Sequence, residues 1–276
     1  MSEEYNLENS LKKLLRDISM PDEVTDAVLL CYKTCFAESC SGRMITDKNG
    51  SMSGADNSKA VEISGLRILT EHLVSSLKNR ESGIWQRFPE DIFIATMGCF
   101  SRFVREHFVS YGYYGFDRDF WTTRQVNAKL FRIGELEYEI IDGNENLYLH
   151  IPSDAVMKSA PLNMSLDMAK EFFAKYFPEK ENSAIRCESW LLAPKLKTLL
   201  KEDSNIIRFQ NAFDIEEEFP DAMDFLEWVF HIAGGQRNTV VFADLPEDTS
   251  LQRGIKKLLL SSGCVGSAEG VLVRRF

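Results

Sequence analysis

"KLFRIGELEYEI", residues 129–140, changes its hydrophobic period at one glycine. Ahead of Gly134 the apolar residues Val126, Leu130 and Ile133 step by four and three, the spacing of one helix face. Beyond it Leu136, Tyr138 and Ile140 alternate with Glu135, Glu137 and Glu139, the spacing of a strand. The pattern places Gly134 just past a helix end, where the backbone turns left-handed and a side chain would clash. The chain then divides at that residue: 1–133 as an all-helical domain and 134–276 as a domain built on a sheet.

Upstream of the glycine everything reads as helix. Leu11, Leu14, Leu15 and Ile18 share one face. Pro21 opens a second helix, with Asp22 and Glu23 at the positive end of its dipole. Residues 41–58, rich in Gly, Ser, Asp and Asn, read as an exposed loop. A third helix runs through Val61, Leu66, Leu69, Leu73 and Leu77, and a fourth starts near Pro89. A fifth covers about 117–133.

Downstream, "ELEYEII" and "LYLHIP" flank the turn-rich "DGNEN" and form an antiparallel hairpin. Then come the loop "PSDAVMKSAPLN", the helix "SLDMAKEFFAKYF", the strand "AIRCESW" and the short helix "PKLKTLL". The pattern continues with a strand "NIIRFQNAF", a helix "PDAMDFLEWVFHI", a helix opened by Thr249 with Gln252 three places on, and a closing strand "GVLVRRF". "DIEEEFPD" reads as a solvent-facing charge run. The fold class is α+β, with a mixed sheet and helices on its faces.

Composition narrows the function. The 276 residues carry a formal net charge of −10 and no basic block, which argues against nucleic acid as a partner. No apolar run approaches the ~20 residues of a membrane span, and the acidic N-terminus is not a secretory signal, so the chain reads as cytoplasmic. Cys31 and Cys35 continue the row of Val24 and Val28, and Cys99 falls in the row Ile92, Thr96, Phe103. All three read as buried thiols in a reducing compartment, and no ligand set for a metal is visible.

The stretch from "FPEDIFIATMGCF" through "RIGELEYEI" resembles the junction of the acyltransferase domain-containing proteins. "LHIP" at 149–152, "CESWLLAPKLKTLLKEDSNIIRFQNAF" at 187–213 and "LPEDTSLQRGIKKLLLSSG" at 245–263 follow in the family's order. The resemblance implies a helical N-acyltransferase N-terminal domain and a C-terminal domain similar to the GNAT fold. It implies transfer of an acyl group, acetyl by expectation, from acyl-CoA to an amine. In such folds two neighbouring strands part and the pantetheine arm pairs with the exposed backbone.

By order, "LYLHIP" and "AIRCESW" are those strands, and Ile151 lies on the backbone the cofactor would meet. The loop 153–165 is the candidate diphosphate cradle, although the GNAT loop is usually glycine-rich and this one has no glycine. Ser153, Ser165 and Lys158 offer hydroxyls and a positive charge instead; alternatively, Ser165 only caps a helix. His150 is a candidate general base, Glu188 a base acting through water, and Ser189 a donor to the leaving thiolate. Cys187, on a strand, lacks a helix dipole to activate it as a nucleophile, so direct transfer within a ternary complex is the simpler reading. The competing reading is a binding module on the same scaffold without catalysis. The acceptor and the oligomeric state are not encoded in any motif.

Overall fold

The computed structural model describes residues 2–37 and 63–276. The loop read at 41–58, Cys40 and Val61 lie outside the described residues. The chain forms two compact units, Met1–Ala128 and Lys129–Phe276.

The first unit contains helices α1 (Ser2–Asp17), α2 (Asp22–Tyr32), α3 (Leu66–Ser82), α4 (Glu90–Tyr111) and α5 (Asp119–Val126). The rows read from the sequence are its core. Leu11, Leu14, Leu15, Val24, Val28, Leu69, Leu73, Ile92, Cys99 and Phe103 are all buried. Trp85, fully buried, donates its indole N–H to the carbonyl of Gln125 at 2.8 Å and ties α5 to the turn after α3. Cys35 departs from expectation and is exposed. A π-type turn, Lys33–Ala37, follows α2, and its wider winding rotates Cys35 off the face that Cys31 occupies.

The quoted stretch also resolves differently. α5 stops at Val126, and Leu130–Ile133 is a strand, β1, not the end of a helix. It pairs antiparallel with β2 (Leu136–Ile140), with Ile133 opposite Leu136. Gly134 therefore opens a two-residue hairpin link, at φ +64°. The left-handed backbone was expected there, but the element it ends is a strand. The four-and-three spacing arose because the end of α5 and a strand buried on both faces fall in register. Leu130, Phe131 and Ile133 are all 0% exposed, so alternation is hidden.

The rest of the second unit runs β3 (Leu147–His150), α6 (Ser159–Tyr176), β4 (Ile185–Ser189), α7 (Asn205–Gln210), β5 (Phe213–Phe219), α8 (Phe225–Phe230), α9 (Ser250–Leu260) and β6 (Ser267–Leu272). The six strands form one mixed sheet in the order β1-β2-β3-β4-β6-β5. Only β3 and β4 are parallel. α6 packs Phe172 and Phe173 on Phe131 of β1, with ring centroids 5.0 and 6.4 Å apart. A second core gathers Leu196, Ile207, Phe225, Leu226, Ile255 and Leu259.

One further expectation is corrected. "NIIRFQ" is the helix α7, because Ser204 accepts the N–H of Ile207 at 3.3 Å and nucleates a turn. The charge run "DIEEEF" faces solvent as read: Asp214 and Glu216 to Glu218 are exposed on β5, at the sheet edge, where carboxylates discourage pairing with another chain. The capping box at Thr249 and Gln252 is present as read.

Candidate active site

β3 and β4 begin as neighbours. The N–H of Leu147 meets the carbonyl of Ala184 at 2.9 Å, and the ladder joins Leu147 to Ile185 and Tyr148 to Arg186. There it ends, although both strands continue, β3 to His150 and β4 to Ser189. β4 stays paired with β6 as far as Ser189–Ala268, and β3 with β2 as far as His150–Glu137. Each strand keeps its outer partner and releases its inner one, so the sheet opens between them from the rung Tyr148–Arg186 onward.

The pleat sorts the side chains at this opening. Leu147, Leu149 and Cys187 are buried on one face, and Ser189 follows them in phase. Tyr148, His150, Arg186 and Glu188 occupy the other. Continuing the rung by two residues on each strand brings His150 level with Glu188, on the same face. His150 Nε2 lies 2.8 Å from Oε2 of Glu139 on β2. Glu137 and Glu139 are almost fully buried, at 2% and 8% exposure. The alternating glutamates of β2 thus share the sheet face of His150; only the hairpin register, which sets Glu137 opposite His150, reveals it.

Glu188 faces Glu269 across β4–β6, and Glu269 faces Glu217 across β6–β5. Burial, then the charges of Glu269, Asp224 and Glu217, raise the pKa of Glu188 above the usual carboxylate value. Arg186 offsets the row by pairing with Glu269 at 2.7 Å and with Glu216. Sequence reasoning missed Glu269, since β4–β6 pairing joins residues far apart in the chain.

The loop between β3 and α6 is held by the first hairpin. Glu135 accepts the N–H of Val156 at 2.8 Å, and Arg132 pairs with Asp154 at 2.7 Å. Ser153 and Lys158 are exposed on it. α6 begins at Ser159, six residues earlier than expected, and Lys158 is its N-cap residue. The N–H groups of Ser159 and Ala160 have no partner among the described residues, and Pro161 has no N–H.

Ser165 is placed elsewhere than expected. It sits inside α6, 0% exposed, and neither caps the helix nor faces the loop. Its hydroxyl donates to the carbonyl of Ile133, accepts the N–H of Leu136 at 3.2 Å and meets the Tyr138 hydroxyl at 3.2 Å. A Cβ on Gly134 would come within 3.0 Å of the Ser165 side chain, so the hairpin link needs glycine for space as well as backbone angle. Ser189 accepts the N–H of Leu191 at 3.1 Å, which leaves its own hydroxyl hydrogen to donate. Cys187 is fully buried, and desolvation drives its pKa far up, against a nucleophilic role.

A mixed sheet opened between two parallel strands, after a helical unit, is the GNAT-like acyltransferase fold. The chain belongs to the family with that architecture: residues 126–272 match the GNAT-like C-terminal domain, and residues 78–128 match the N-acyltransferase N-terminal domain. Solved structures agree in fold. An acyltransferase in complex with decanoyl-CoA and teicoplanin superposes with a TM-score of 0.74 at 22% identity, covering 95% of this chain and 87% of that one. An acyltransferase mutant in complex with octanoyl-CoA gives 0.75 at 22% identity, covering 96% and 87%. No protein in the curated set matches.

Proposed function

We propose that the protein is a cytoplasmic acyl-CoA-dependent N-acyltransferase that moves an acyl group directly to an amine in a ternary complex. The observation that carries the reading is the release of β4 from β3 beyond Tyr148–Arg186. Backbone groups of Leu149 and His150, with Ile151 just past the end of β3, and of Cys187 to Ser189 on β4 would pair with an extended pantetheine arm. Lys158, Ser153 and the unpartnered N–H groups of Ser159 and Ala160 form the diphosphate end, with the helix dipole favouring the anion. His150 takes the proton of the attacking amine, and Ser189 donates to the departing thiolate. Glu188, acting through water, takes the first proton of an acceptor that approaches as a cation and passes it to solvent, which frees the nitrogen lone pair before His150 takes the second.

Acetyl is one candidate donor. The structurally similar acyltransferases hold octanoyl-CoA and decanoyl-CoA, which supports a longer chain equally. The test is calorimetric titration with CoA, acetyl-CoA and octanoyl-CoA, with a thermal melt of each mixture, since a ligand of the folded state must raise the melting temperature. A rise with CoA and a tighter titration with one acyl form are expected, and would rank the donors. No heat and no shift at millimolar concentration would leave a binding module on the same scaffold.

A further inference from the structure

Glu139 is a carboxylate in the middle of a strand whose five residues are all buried. A buried carboxylate is retained only where something hydrogen-bonds it. The backbone register sets Glu139 opposite Tyr148 and Glu137 opposite His150, so the His150 ring leans one pair along the sheet to reach Glu139. The 2.8 Å separation from Nε2 to Oε2 is that of a charge-assisted bond.

We propose that Glu139 is a positioning residue for His150 and that the atom accepting the amine proton is Nδ1. An ionised carboxylate only accepts hydrogen bonds, so the contact requires a hydrogen on Nε2. Neutral imidazole has one N–H, and the basic lone pair is therefore on Nδ1. This rests on the acyl-transfer reading for the identity of the reaction, but not for the tautomer. In the reaction the amine nitrogen bonds to the thioester carbon, its proton passes to Nδ1 and the C–S bond breaks. The thiolate takes the Ser189 proton, and the imidazolium returns one to Ser189 through solvent. While His150 is doubly protonated, Glu139 faces its Nε2–H and stabilises the cation, and afterwards it holds the ring for the next turnover. Glu137 on β2 and Arg132 on β1 are the other charged residues on this face of the first hairpin.

The chain has four histidines, so ring nitrogens can be assigned by substituting His150 alone. Nitrogen-15 spectra of the whole protein are recorded above the imidazole titration range, for the native chain and for Glu139→Gln and Glu139→Leu. The native ring is expected to carry its hydrogen on Nε2, with a downfield, exchange-protected proton signal that weakens in Glu139→Gln and vanishes in Glu139→Leu. Thiol release from octanoyl-CoA with butylamine as nucleophile supplies the second readout. There kcat should fall roughly 10²-fold in Glu139→Leu, with KM for octanoyl-CoA unchanged. A native ring protonated on Nδ1, or turnover within about twofold of native in Glu139→Leu, overturns the assignment. Absence of both octanoyl-CoA binding and turnover, with the ring signature intact, instead defeats the acyl-transfer reading and leaves the pairing standing.

Discussion

His150 on β3 and Glu188 on β4 face the same side of the sheet, each two residues beyond Tyr148–Arg186, the last rung that joins their strands. A thioester lying along the opening would pass between them. One is held by a buried carboxylate, the other is pushed toward protonation by partial burial and then by three neighbouring carboxylates.

Replacing His150 by glutamine should separate chemistry from binding. If its imidazole is the base, kcat falls by roughly 10²–10⁴ while the calorimetric affinity for octanoyl-CoA stays within about twofold. Equal loss of affinity and turnover would assign His150 to cofactor binding.

The Gly134–Ser165 contact should be a stability hot spot outside the chemistry. Gly134→Ala places a Cβ 3.0 Å from Ser165 at φ +64° and should cost ~1–3 kcal/mol. Ser165→Ala removes a buried hydroxyl that accepts the N–H of Leu136 and donates to the carbonyl of Ile133, and should cost about as much. Denaturant melts of both variants measure this, and unchanged midpoints would show that the hairpin link tolerates a shift.

The helical unit should lose stability in mild acid. His72 meets the Thr122 hydroxyl at 2.8 Å between the rings of Phe100 and Phe116, and burial lowers its pKa from the ordinary 6.5. The unfolded chain then binds the proton more readily than the folded one. His72 contributes no penalty above pH 6.5, and a growing one as pH falls from there through its depressed folded value. The melting temperature of the native chain should drop across that window more steeply than that of His72→Gln.

Thr249→Ala should loosen α9. It removes the acceptor of the Gln252 N–H at 3.1 Å and half of a reciprocal cap. The expected loss is about 1 kcal/mol, read from denaturant midpoints, with Thr249→Ser restoring most of it.

The amino-acid sequence by itself determined what depends on neighbours along the chain. Helix faces in the first unit, the hairpin through "DGNEN", the cap at Thr249 and the left-handed need at Gly134 are local consequences of spacing and backbone sterics. Contacts between distant segments were decided only by the tertiary structure. Leu130–Ile133 became a strand because β2 was there to pair with it and α6 to cover it, which helix-like spacing cannot foretell. Ser165 reads as a phosphate-loop hydroxyl, or else a helix cap, until α6 is seen to start at Ser159 and lay that hydroxyl on the hairpin. Glu139 reads as one of three alternating glutamates until the register brings His150 to it. His150, Glu188 and Ser189 were visible as residue types suited to proton transfer. Their grouping at an opening in the sheet follows from where the β3–β4 ladder stops, and hydrogen bonding between strands remote in sequence is a property of the folded chain alone.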